Sequence, residues 1–395
     1  MLQRKKLIIY GAVGILILAG LGFLAYQFLL PAATERGGSQ EESGVAGKLP
    51  SPLGGRAPEP GTSPAGEESV EFEIPKTLEG KLFRLTDFPV IGASFNAKED
   101  KILFYKKDGG DLLSSAPNGQ PQEKISNLTI VGITEALWSP ARDRAAVFYL
   151  DGETLKGFLH IGTSSVATLP QDIKSFAWAP DGKTAVYLLT DGEGMKLVIV
   201  ASSGKNNQAI AALPVFDGEL SALPAGKFAL ETAPSGLADG FLFTFTRTTP
   251  LTKIVGPLRG LMSRWSNDGT RVLVSLTDLA GKNPDLALYD SSGKLLSPLD
   301  GIRTIASKCI FADAKEIYCA VPKEIPFSAL WPDDYLRGEI NTSDRIVRIV
   351  PDKNEVVSVF EEGNFDVSEL AVTKNKDWLM FVDRRDGTLW SLKLK

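Results

Sequence analysis

The sequence predicts an all-β fold: a seven-bladed β-propeller of four-stranded antiparallel blades, carried behind one N-terminal transmembrane helix and a linker. Three observations lead there. Across residues 70–395, short apolar segments ending in turn motifs recur with a period in the forties, which is the spacing of propeller blades. The tight-turn dipeptide Asp-Gly occurs nine times, and it favours the two-residue hairpins that join antiparallel strands. A run of 24 residues without a charge, Leu7 to Leu30, stands near the start of the chain.

The N-terminal run comes first. A helix of that length spans roughly 36 Å at about 1.5 Å per residue, against a hydrocarbon core of about 30 Å. Arg4, Lys5 and Lys6 precede it and Glu35 is the first charge after it. The positive-inside rule then assigns residues 1–6 to a cytoplasmic tail, 7–30 to the membrane anchor and the remainder to the outside. A cleaved signal peptide is the rival reading. It normally has an apolar core of only about 7–15 residues, although Ala32 and Ala33 could support cleavage. Residues 31–69 hold six Pro and eight Gly with almost no large apolar residue, so they cannot bury enough surface to offset chain entropy and read as a flexible linker.

The repeat fills residues 70–395. Its clearest units are Trp138-Ser139-Pro140, Trp178-Ala179-Pro180-Asp181-Gly182-Lys183 and Trp265-Ser266-Asn267-Asp268-Gly269-Thr270, with weaker copies at Phe95, Leu223, Phe311 and Val372. Seven such anchors, 40–46 residues apart except for a last step of 61, give seven blades. Each blade then reads as strand a ending at the anchor, a tight turn, strand b, an Asp-Gly type I′ turn and strand c. The last unit ends in strand c at Leu389–Leu392, whereas Lys81–Thr86 is a spare strand ahead of the first. In a ring, segment 81–86 closes the last blade and removes its open edge. The tryptophans at the ends of a strands read as packing between blades rather than as a ligand-stacking ring.

These aromatic-Ser-Pro-Asp-Gly-Lys units resemble the TolB-type, WD-like propeller repeat, over roughly residues 81–395. That repeat occurs in the Tol system's periplasmic protein and in the propellers of prolyl oligopeptidase-like enzymes. The resemblance implies a fold and leaves function open.

Chemistry is sparse. The formal charge is −5, or −8 beyond the three N-terminal cations, and no basic run exceeds two residues after Lys6; phosphate-backbone binding is therefore not expected, and nucleic acid is excluded as a partner. The one histidine, His160, sits among apolar residues on an expected strand c and reads as structural. No Gly-x-Ser-x-Gly elbow, zinc-ligand spacing or calcium loop occurs, so no catalytic residue, metal or cofactor is assigned. The 61-residue step carries an insertion between strands b and c of the sixth blade, within 322–343. It holds Trp331, Asp333, Asp334, Tyr335 and Arg337, a mixture of aromatics and charges suited to binding; a plug packed on the rim is the equal alternative. Cys309 and Cys319 lie five residues either side of Ala314. A hairpin centred there sets them directly opposite, within disulfide reach.

The function expected is that of a membrane-held, extracytoplasmic scaffold binding a protein, a peptide or an envelope component. A propeller hydrolase or lyase with a channel-centred site is the alternative.

Overall fold

The computed structural model describes residues 74–126, 129–163, 165–191, 194–213 and 217–395. The expected anchor at 7–30 and linker at 31–69 lie outside them. Among the described residues, no helix is long and apolar enough to cross a membrane.

The described residues form seven four-stranded antiparallel sheets. Their first strands are Val90–Phe95, Ile133–Trp138, Ile173–Trp178, Gly218–Leu223, Met262–Trp265, Cys309–Asp313 and Val367–Val372. First strands of successive blades touch at six of the seven seams, so they ring the axis and the later strands lie progressively outward. This meander puts the a–b and c–d turns on one face, called the turn face below. The b–c loops and the connections between blades share the other, the loop face.

The anchor residues do as their repetition implied. Trp138 donates its Nε1–H to the Gly92 carbonyl at 2.7 Å, and Trp178 to the Leu137 carbonyl at 2.8 Å, so each indole joins its blade to the one before. Strand b is the most buried of each sheet, as in Ala145–Phe148 and Val272–Val274, because it is covered by sheets on both sides. Cores therefore lie between blades, such as Phe148 and Phe176 with Tyr187 in the seam of blades two and three.

The turns differ from expectation in one respect. After strand b of blade two, Asp151 is still paired, with Thr154. Gly152 alone takes a positive φ, 63°, and Glu153 does not. That is the type II′ pattern, with glycine first, rather than I′. The Asp-Gly pairs of the a–b turns serve otherwise: Gly182 and Gly269 occupy the left-handed position that closes a four-residue turn on Ala179 and Ser266. Arg142, Glu99 and Lys376 hold the same left-handed position in blades two, one and seven.

The ring closes through the N-terminal strand. Leu82–Arg84 pairs antiparallel with the last strand, Leu389–Lys393, in the register Leu82 to Leu392 and Arg84 to Trp390. Thr86 adds a hydroxyl acceptor for the Leu389 N–H at 2.9 Å.

Candidate functional site

Blade six departs most from the repeat. Strands Cys309–Asp313 and Glu316–Pro322 pair with Cys309 directly opposite Cys319. The two are joined by a disulfide, with Cα atoms 4.1 Å apart. A loop closed by so few residues contributes about 2–3 kcal/mol in the chain-entropy account. It fastens the hairpin from which residues 323–343 rise before strand Asp344–Val350.

That insertion folds across the loop face onto other blades. Trp331 is fully buried and donates its backbone N–H to the Gly281 carbonyl of blade five at 2.7 Å. Room for this comes from glycine: a Cβ on Gly236 would stand 2.4 Å from the Trp331 carbonyl oxygen. Asp333 accepts from Ser235 Oγ at 3.1 Å and from the Gly236 N–H at 2.7 Å in blade four. Asp334 accepts from the Leu330 N–H and from Arg337. The short helix Asp333–Arg337 ends at Gly338 in the left-handed conformation.

Beneath this helix lies a buried ionic knot at the seam of blades six and seven. Lys308, 2% exposed, donates to Asp344 Oδ2 at 2.6 Å, Asp366 Oδ1 at 2.7 Å and Thr342 Oγ1 at 2.8 Å. Tyr335 donates its hydroxyl to Asp366 at 3.0 Å, and its ring is faced by Lys308 Nζ at 4.6 Å and by the Arg384 guanidinium at 4.2 Å. Burial pushes the Tyr335 phenol well above its ordinary range, with the Asp366 carboxylate adding to the rise. The same burial raises the Asp344 carboxyl, and Lys308 opposes it. Trp331 stacks on Tyr335 with ring centres 5.7 Å apart.

Three of the five loop residues singled out in sequence are thus occupied with the ring, and Asp334 with the insertion itself. Trp331 and Tyr335 face inward and offer no ring to a partner; Asp333 and Asp334 bind chain groups. Arg337 is half exposed and pairs with Asp334 and Glu339. The plug-like packing accounts for these contacts. What the insertion turns outward is Phe327, 89% exposed, and Leu336, 46%.

At its root, between blades five and six, a cavity of about 380 Å³ opens on the loop face. Lys282, Arg303, Lys323 and Arg345 line it beside Phe327 and Ile325, and no carboxylate does. Lys282 Nζ lies 4.7 Å over the Phe327 ring. No sequence motif marks these four cations; they come from separate segments, each near a loop-face end of a strand. A cavity of about 690 Å³ between blades three and four opens on the turn face and is largely apolar.

The channel holds carboxylates that sequence reading did not find. Glu135, Glu219 and Glu369 stand on the first strands of blades two, four and seven. All three touch solvent, yet the surrounding ring desolvates Glu135 and raises its pKa, and repulsion from Glu219 and Glu369 adds to the rise. Glu369 reaches across the seam to accept the N–H groups of Gly92 and Ala93. Among the described residues no three His, Cys, Asp or Glu are grouped closely enough to hold a metal ion. Glu231, on the second strand of blade four, is buried and accepts the Ser263 N–H at 2.7 Å; burial pushes its carboxyl up to about 8. His160 is buried against Tyr105, Nδ1 to hydroxyl 2.8 Å, and burial depresses its pKa. It serves the seam between blades one and two.

No known family matches the chain, and no curated relative does. Solved structures match over most of the propeller at low identity. An oligogalacturonate lyase in complex with manganese shares 13% identity over 80% of this chain and 93% of its own, with a TM-score of 0.56. The propeller domain of the Trilobed protease from Pyrococcus furiosus, described as having an open velcro topology, shares 11% over 79% and 95%, with a TM-score of 0.54. The tricorn protease shares 10% over 82% of this chain at a TM-score of 0.50, and the chain spans 34% of that protein. TolB from Acinetobacter baumannii also matches, at a TM-score of 0.40, a likeness too loose to add to the fold. At such identities the shared property is the fold alone: this chain carries a seven-bladed propeller.

Proposed function

We propose that the chain is a membrane-tethered, extracytoplasmic binding scaffold whose loop face takes a protein or peptide partner. The observation that carries this reading is the insertion of blade six. It spends its buried aromatics and carboxylates on fixing itself to blades four, five and seven, and it holds Leu336 outward and Phe327 outward at a cationic cavity. A rigidly held loop with an exposed aromatic is a preorganised binding element. The tether rests on the sequence: the apolar run 7–30 with Arg4, Lys5 and Lys6 on its inner side.

Site-specific photo-crosslinking tests it, with a benzophenone amino acid in place of Phe327 in the full chain within its native membrane. A discrete adduct is expected, and it should vanish in the Leu336→Asp variant with the fold retained. Adducts of equal yield from a probe at Lys205 on the turn face would refute a loop-face site. Protease added to intact cells should release the propeller, in keeping with the outward topology.

A second reading, a hydrolase or lyase centred on the channel, draws on Glu135, Glu219 and Glu369. It predicts turnover of an envelope polymer that is abolished by Glu135→Gln.

A further inference from the structure

The structure points to a ligand chemistry for the loop-root cavity: we propose that it binds the side-chain carboxylates of an acidic, leucine-rich peptide segment of the partner, an inference that rests on the scaffold reading above. Arg303 and Arg345 make no ion pair with any carboxylate among the described residues. Neither does Lys282, whose Nζ overlies Phe327. Lys323 reaches a backbone carbonyl, that of Gly363, at 2.7 Å. The Nε of Arg345 is buried and has no acceptor. A guanidinium N–H withdrawn from water without an acceptor is costly, and a carboxylate that arrives beside it removes the cost. Asp285 feels Arg303 and Asp300 through space, but neither acid lines the cavity. A protein with a net charge of −5 has thus gathered four cations around one opening with none of them in an ion pair among the described residues, although Asp285 lies within the field of Arg303 and Asp278 within that of Lys282.

The rest of the wall distinguishes peptide from sugar. Val321, Pro322, Ile325 and Pro326 are apolar, and Phe327 stands at the rim. Hydroxyl-rich ligands need side-chain acceptors, and among the lining residues only Asn283 supplies one. A peptide that alternates carboxylate and apolar side chains matches both halves of the wall: planar guanidiniums take carboxylates in two-point contact, and the proline and aromatic surface takes the hydrocarbon.

The test uses the full chain in detergent and a fluorescein-labelled hexapeptide alternating leucine and glutamate, blocked at both ends, with its leucine–glutamine counterpart as the neutral probe. Fluorescence anisotropy should report binding of the glutamate peptide at least about tenfold tighter, weakening as salt rises from about 0.05 to about 0.3 M. The Arg303→Gln/Arg345→Gln double variant should remove that preference, and Lys205→Gln on the turn face should leave it intact. Because Arg345 is partly buried, Lys282→Gln/Lys323→Gln provides a second variant from the cavity rim. It should weaken the glutamate peptide about threefold or more with an unchanged melting temperature. Equal affinity for the two peptides, no binding of either, or tighter binding of a uronic-acid trisaccharide would overturn the proposal. A crosslink at Phe327 that persists beside such a failure leaves the scaffold reading standing. Loss of the crosslink as well removes both.

Discussion

Blades three and six have the same four strands and opposite ways of holding on to their neighbours. Blade three keeps the repeat intact: Trp178 joins it to blade two through one indole hydrogen bond, and hydrocarbon fills the seam. Blade six replaces that economy with a disulfide, a buried lysine between two buried aspartates, and an insertion that reaches three other blades. The turn between its first two strands is only Ala314-Lys315, and its anchor is Phe311 rather than tryptophan. Repetition makes the ring; departure from it, concentrated on one blade, builds the face that can recognise something.

Removing the charge from blade six should have the largest effect. Lys308→Met leaves buried Asp344 without its cation and Asp366 with Arg384 alone, 3.8 Å away, and breaking one partner of such a set costs about 3–5 kcal/mol. Urea unfolding should register that loss, and limited proteolysis should newly cut within 323–342. A change under about 1 kcal/mol would mean that the knot is not the latch of the insertion.

A smaller, pH-dependent effect sits between two regular blades, four and five. The Glu231 carboxyl, raised to about 8 by burial, is held more readily in its protonated form in the fold than in the unfolded chain. Its contribution is complete below the ordinary glutamate pKa and is lost as pH rises through about 8. Glu231→Gln should therefore match the parent near pH 5 and exceed it by about 2–4 kcal/mol near pH 8.5. Thermal unfolding across that range measures it; parallel curves would contradict the assignment.

Trp178→Phe in blade three should cost least, about 1–2 kcal/mol, through the unpaired Leu137 carbonyl and the lost ring volume. It should leave the insertion uncut by protease. A larger loss than from Lys308→Met would invert the comparison.

How far the sequence could be read follows the same division. Aromatic anchors and turn glycines are local signals, and they located the strands. Where a turn dispenses with glycine, as at Arg142 or Lys376, the geometry survives although its signature does not. The Cys309–Cys319 bridge was legible because a hairpin is a local object whose register follows from its centre. The insertion was visible as an excess of length, but the direction of Trp331 and Tyr335 was not, because burial there depends on Gly236 and Gly281 in distant blades. Lys308 and the four cavity cations left no pattern either: ring closure brings them together, and their spacing along the chain encodes nothing.

The pairing of Leu82 with Leu392 also sets a clock. Thr86 and the Leu389 N–H that it binds are 303 residues apart, so a ribosome working at about 5–20 residues per second needs about 15–60 s to deliver the second after the first. Throughout that interval the earliest strand has emerged and has nothing to pair with, while six blades assemble behind it. A chain tethered by its own N-terminus would pass that wait beside the membrane, with an unpaired edge in need of an escort.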